Sequence, residues 1–355
     1  MFINSFRKGH FALLLAAAAV FLAGCISPKD KIEQATLLES ADATEAELVS
    51  QIDNISKVDS MHAKVYLKFE DNSFAELGIA EKYKTAGGEI TVQRPSNIRL
   101  KVEVPIVGTD VAQMASDGKS FQVAVLQDGG SGKYKKFVIG SNSADYSALQ
   151  EQVDDLSNGS SEMKKNVNAF SNLRPQHFTE AMLVRPVDTS SYFYTLSTIL
   201  QEEFDINAKK KSPLRWVLRG YYLYDEYQRG DDNSLSIKRR FWFDRVGGVR
   251  LARLQIFDGS GEIESDIIYG AEGALTESGT FVLPLQVELT RPKEKYKMRL
   301  TYQTPKKVII GNEFPTKAFT LENVWGLEVL DLDKELREAN TAGTGGTGAE
   351  RTGRQ

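Results

Sequence analysis

The chain is short of the residues that most chemistry needs. Its 355 residues include one cysteine, three histidines, three tryptophans and ten prolines. A lone cysteine excludes an internal disulfide and any metal site built on several thiolates. His10, His62 and His177 stand far apart, with no acidic or cysteine partner at ligand spacing, so no metal site is expected. Basic charge is in deficit too. Lys and Arg number 44 against 48 Asp and Glu, a net charge of −4 that suits neither nucleic acid nor an anionic lipid surface. Asp154-Asp155 and Asp231-Asp232 are paired carboxylates, but their polar surroundings mark solvated helix and loop positions rather than an acid–base pair. In Gly129-Gly130-Ser131-Gly132-Lys133-Tyr134 the first glycine of a phosphate loop would fall on Gln127, and Tyr134 replaces the required hydroxyl. No nucleophile elbow occurs. The chain reads as a non-enzyme without a cofactor.

Long apolar runs are scarce as well, and the one that exists is informative. Arg7 and Lys8 precede an apolar stretch from Phe11 to Leu22, and Leu22-Ala23-Gly24-Cys25 follows. A run of about a dozen residues is too short for a bilayer core, which needs about 20. A basic start, a short apolar centre and small residues before a cut site make a secretory signal. The cysteine directly after Ala-Gly resembles the bacterial lipobox, which implies acylation of Cys25 and removal of residues 1–24. That removal takes Arg7 and Lys8 and no acidic residue, so the net charge moves from −4 to about −6. Cys25 is then a membrane anchor rather than a nucleophile. Ile26 stands where an Asp would resemble an inner-membrane retention signal, which points to the outer membrane, facing the periplasm.

Residues 25–43 form an expected tether. Thr44-Glu45-Ala46-Glu47 has capping-box spacing, and Leu48, Ile52 and Ile55 recur on one helical face, predicting an amphipathic helix that ends near Val58. From His62 the period becomes two: Ala63, Val65, Leu67 and Phe69 alternate with polar neighbours, as do Ile98, Leu100, Val102 and Val104. Asp117-Gly118 marks a hairpin. About seven short strands are expected between residues 62 and 140. Residues 143–182 form a helical insert. Strands resume over Tyr192–Leu200, Leu214–Tyr227, Ile237–Asp244, Val249–Phe257, Ile263–Tyr269, Phe281–Leu289 and Tyr296–Tyr302. The folded domain spans 44–335, and the Gly/Thr-rich tail at 336–355 is expected to be disordered. Short turns between meandering strands predict one curved antiparallel sheet, with a two-layer sandwich as the alternative.

The order of Gln93-Arg94-Pro95-Ser96-Asn97, Ala115-Ser116-Asp117-Gly118, Phe241-Trp242-Phe243-Asp244-Arg245, Arg253-Leu254-Gln255, Leu283-Pro284-Leu285 and Thr290-Arg291-Pro292 resembles the LolA/LolB-like lipoprotein carrier and receptor superfamily over about residues 45–330. With Cys25, the resemblance is to the lipid-anchored LolB-like branch. It implies a mainly β fold with helices (α+β): a single antiparallel sheet forming an unclosed β-barrel, concave inside and plugged by a helical lid. It also implies an apolar cavity for lipid or lipoprotein acyl chains, and a periplasmic carrier protein as a further partner. The set Val65, Leu67, Phe69, Leu100, Val102, Val123 and Val125 lines either such a cavity or an ordinary filled core. Arg94 matches the arginine that bonds the lid in the soluble carriers; an arginine exposed at a strand end is the alternative. Pro105, Ile106 and Val107 form an apolar loop, which either packs over the barrel mouth or meets membrane or ligand. Two functions fit: an envelope lipoprotein that holds and delivers lipid, or a structural or sensory lipoprotein that binds a protein partner.

Overall fold

A computed structural model describes residues 35–71, 81–82, 85–103, 109–127, 135–144, 146, 149, 176–205, 208, 209, 212 and 215–344. Cys25, the signal segment, most of the 143–182 insert and the 104–108 loop lie outside these. Among the described residues no helix is long and apolar enough to cross a membrane. The chain divides into two compact units, residues 1–38 with 202–218 and residues 39–201 with 219–355. In the smaller unit Thr36–Leu37 (β1) runs parallel to Val217–Leu218. The Phe204 ring lies against Trp216 at 3.7 Å, with the Arg215 guanidinium 4.5 Å from the Phe204 centroid. Part of the expected tether is therefore built into a folded unit.

The larger unit opens with helix α1 (Glu45–Ser56). Thr44 accepts from the Glu47 amide while the Glu47 carboxylate takes the Thr44 amide, the reciprocal cap its sequence predicts. Leu48, Ile52 and Ile55 turn into the core, each worth about 1.5–3 kcal/mol in burial. Before the helix, Arg245 donates to the Ala41 carbonyl at 2.9 Å and pairs with Asp42.

Seven strands follow: β2 (Ser60–Asp71), β3 (Glu81–Lys82), β4 (Ala86–Gln93), β5 (Asn97–Glu103), β6 (Asp110–Ser116), β7 (Ser120–Val125) and β8 (Lys136–Ser141). The β6–β7 hairpin turns at Asp117-Gly118, where Gly118 takes φ +86° and the Asp117 carboxylate accepts from the Lys119 and Ser120 amides. After helix α2 (Gln176–Met182) come β9 (Phe193–Phe204), β10 (Trp216–Arg229), β11 (Leu235–Asp244), β12 (Arg250–Phe257), β13 (Ile263–Tyr269), β14 (Glu272–Leu275), β15 (Phe281–Pro284), β16 (Gln286–Arg291) and β17 (Tyr296–Tyr302). Short β18 (Ile309–Ile310), β19 (Glu328–Asp331) and helix α3 (Leu332–Thr344) end the described chain.

Hydrogen bonding sets the strand order β9-β10-β11-β12-β13-β16-β17-β2-β4-β5-β6-β7-β8-β19. The junction of β17 with β2, Leu300 opposite Leu67, joins the two strand sets into one sheet. No pairing between β9 and β19 occurs among the described residues, so the sheet is not closed. The architecture is the mainly β, unclosed sheet with helices that the sequence predicts, and the sandwich alternative is ruled out. Alternate residues from nearly every strand meet α1, α2 and the start of α3 in one apolar core.

Three expectations need correction. Phe281–Leu289 is not one strand. Pro284 has no amide for the ladder, so β15 pairs only with β14 and the chain re-enters the sheet at Gln286. The tail is helical from Leu332 to Thr344 rather than disordered from 336: Asp331 accepts from the Lys334 amide, Leu332 is buried, and Leu336 and Ala339 pack on the core. Tyr302 is not the end of the sheet. Residues 311–327 cross its opposite face as an outer strap, where Leu321 joins Ala115, Ala124 and Phe137 in a small second cluster. The strap then enters β19, parallel to β8.

Candidate functional site

The apolar residues expected to line the inner face divide into two groups. Val65, Leu67, Leu100 and Val123 are buried within the core that α1 and α2 cover. Phe69, Val102 and Val125 are only half-buried and flank that core. Val65, Gly88, Val102, Ala112 and Val125 stand in one cross-strand row. Gly88 is required there, since a Cβ would meet the Lys101 carbonyl oxygen at 2.4 Å. Pro105, Ile106 and Val107, like Cys25, fall outside the described residues.

Arg94 follows directly on β4 and reaches two separate segments. Its Nη2 donates to the Ser56 carbonyl at the end of α1 (3.0 Å) and to the Val184 carbonyl (2.8 Å), and its Nη1 donates to Leu183 (3.3 Å). Burial pulls its pKa down, and Asp59, with a carboxylate oxygen 3.4 Å from Nε, opposes this. The arginine therefore ties α1 to the segment that leaves α2.

That segment, Ala181–Asp188, forms an inner strap, and Arg94 is one of several groups that hold it. The Tyr269 hydroxyl donates to the Ala181 carbonyl at 3.1 Å. Arg239 donates from Nη1 to Arg185 O at 2.9 Å and from Nη2 to Pro186 O at 3.1 Å. The Asp188 amide donates to the Tyr194 hydroxyl at 3.0 Å, which in turn donates to Glu226 at 2.7 Å. On the α2 side, His177 Nδ1 lies 2.5 Å from the Tyr296 hydroxyl.

Polar residues in phase with the apolar inner face share a pattern, and Glu226 and Arg239 among them hold the strap. Glu226 is in phase with Tyr222 and Tyr224 on β10, Arg239 with Phe241 and Phe243 on β11, Ser265 with Ile267 and Tyr269 on β13, and Arg291 with Val287 and Leu289 on β16. Each polar residue thus takes a position whose alternation calls for an apolar one. Glu226 stands opposite Arg239, and Arg239 opposite Ile256, which is opposite Ser265. Arg291 bonds Ser265 Oγ at 2.7 Å and pairs with Glu264 and Glu294. Sequence reasoning missed Arg239, Glu226 and Tyr269. The signal that could have found the first two is a charge in phase with an apolar stripe.

Burial and the bond to Glu226 push the Tyr194 hydroxyl up to about 12. The Glu180 carboxyl on α2 is pushed up to about 7 by lost hydration at the carboxyl, although the residue as a whole is exposed, with Glu264 adding and Arg291, Arg185 and the bond to Ser265 opposing. These values make the tyrosine a neutral donor at physiological pH and leave Glu180 able to titrate there.

No family model matches the chain, and no curated protein does. Among solved structures it is similar to a LolA superfamily protein from Nitrosomonas europaea, at 12% identity and TM-score 0.38, with 79% of this chain and 99% of that chain covered. A DUF1329 family protein from Desulfovibrio piger matches at 10% identity and TM-score 0.38, covering 77% and 95%. A putative outer membrane lipoprotein-sorting protein domain from Vibrio parahaemolyticus matches at 9% and 0.36, covering 77% and 95%. With TM-scores below 0.5, these likenesses carry no functional weight.

His62 bonds Thr91 at 2.8 Å and His177 is buried against Tyr296. Among the described residues no group of His, Cys, Asp and Glu is arranged to hold a metal ion.

Proposed function

We propose that this chain is a bacterial envelope lipoprotein, anchored through acylated Cys25 in the outer membrane and facing the periplasm. It holds lipid or lipoprotein acyl chains on the apolar inner face and passes them on, receiving them from a periplasmic carrier protein. One observation carries the reading. The apolar inner face is covered by a strap whose carbonyls are bound by side chains of the sheet, so the cover can leave without breaking a backbone ladder. An exposed acyl chain costs about 0.8 kcal/mol per methylene in water, so carrying one needs a dry surface that opens and shuts. Phe69, Val102 and Val125, half-buried beside the packed core, are where a chain would first enter; Arg94 would hold the lid shut. Pro105, Ile106 and Val107 would meet the membrane or the ligand. The role is binding rather than catalysis.

The test is native mass spectrometry on the full chain carrying Cys25→Ala, with and without Arg94→Leu, together with uptake of an apolar fluorescent probe. Co-purified lipid, and stronger probe uptake once Arg94 is removed, are expected. If neither protein carries lipid or takes up probe, the inner face is a filled core and the proposal fails.

A further inference from the structure

Two arginines grip the inner strap beside the bonds from Tyr269 and to Tyr194, and only one of the two was legible as a latch. Arg94 grips Leu183 and Val184. Two residues on, Arg239 grips Arg185 and Pro186. Arg239 is 3% exposed in its side chain and its partner Glu226 is 0% exposed, an ion pair withdrawn from water. Apolar residues of similar volume would often hold a sheet as well as a buried pair does. They could not donate to two carbonyls. The planar guanidinium does both: Nε bonds Glu226 at 2.8 Å while the two terminal nitrogens reach the strap.

We infer that Arg239 is a positioning residue that forms a second latch of the inner strap, with Glu226 as its holder, so that uncovering the inner face requires release at both Arg94 and Arg239. Tyr194 extends the latch. Its hydroxyl takes the Asp188 amide and donates to the same Glu226, so the far end of the strap and the start of β9 depend on one buried carboxylate. The inference rests on the reading of the strap as a cover over an acyl-binding face, but the two are tested separately.

Hydrogen–deuterium exchange on the Cys25→Ala chain, compared with Arg94→Lys, Arg239→Lys and both together, tests it. Lysine keeps a positive charge beside Glu226 and loses the fork, so the fold is retained. Peptides covering 181–188 are expected to exchange about tenfold faster in each single variant and about a hundredfold faster in the double, since both sets of charge-assisted bonds break in one opening event. Peptides of β5 and β12 are expected to stay unchanged. An unchanged strap in Arg239→Lys, or a double variant no faster than Arg94→Lys, overturns the second latch. So does an equal rise across β5 and β12, which would make Arg239 a general stabiliser. Probe uptake by the same variants isolates the other reading: a freed strap that admits no probe leaves the latch standing and removes the acyl-binding role.

Discussion

Two straps cross the larger unit, one on each face of its sheet, and they are built on different principles. The outer strap is held by neutral amides and one arginine: Gln93 exchanges bonds with Phe314, Gln122 accepts from the Leu321 amide and Arg99 donates to Thr320. It has its own apolar cluster and ends in a backbone ladder, β19 on β8. Among the described residues the inner strap joins no ladder. Its carbonyls at Ala181, Leu183, Val184, Arg185 and Pro186 accept from Tyr269, Arg94 and Arg239, two of which carry charge. A ladder can be undone only by unfolding the strand. Side-chain bonds can be released one donor at a time, which suits a part that moves.

The strongest way to break this contrast is Arg239→Met. Buried Glu226 would lose the guanidinium and keep only the Tyr194 hydroxyl and the more distant Arg185, which is expected to cost about 3 kcal/mol in chemical denaturation. A loss under about 1 kcal/mol would show that the inner strap does not depend on the pair. On the outer face Leu321→Ala should cost about 2–3 kcal/mol through its cavity, with exchange of 181–188 unaffected. Coupling between the two faces would undo the distinction. Arg94→Ala is expected to cost about 2 kcal/mol while raising probe uptake, an effect that no outer-strap variant should share.

Glu180 supplies a smaller, pH-dependent test on the helix that leads into the inner strap. Its folded value of about 7 lies above the ordinary 4.5. The protonated carboxyl therefore favours the fold: this contribution is complete below about pH 4.5 and is lost as pH rises through 7. Thermal melts of Glu180→Gln should flatten the pH dependence across that window relative to the parent protein. Parallel curves would refute the assignment. Smallest of all is Glu328→Gln at the edge of β19. Its exposed pair with Lys136 should contribute no more than about 0.5 kcal/mol, because the ladder rather than the ion pair holds that end.

Much of this was legible in the chain. The capping box at Thr44, the two-residue alternation on either side of the insert and the Asp117-Gly118 turn are local signals, and each residue reports its own backbone. Arg94 could be singled out by its place in a family pattern, although its partners Ser56, Leu183 and Val184 could not be read from its neighbours. Pro284 warned of a break that the surrounding apolar run concealed. The helix after Leu332 was hidden by the Gly/Thr-rich stretch that it runs into, since what holds it is burial of Leu332 and the bonds that the Asp333 carboxylate accepts from the Ser141 and Tyr146 hydroxyls.

The sequence by itself determined the elements and the faces they present, because hydrophobic period and turn chemistry act over a few residues. It also carried the anchor reading at Cys25 and the lack of any ligand-spaced cluster. Only the tertiary structure decided the neighbours. It placed β17 beside β2, carried the outer strap around to run parallel with β8, and set Arg239 and Glu226 at the Arg185 and Pro186 carbonyls. Such pairings join residues tens to hundreds of positions apart. Their energy comes from burying charge and backbone polar groups together, which no local pattern records.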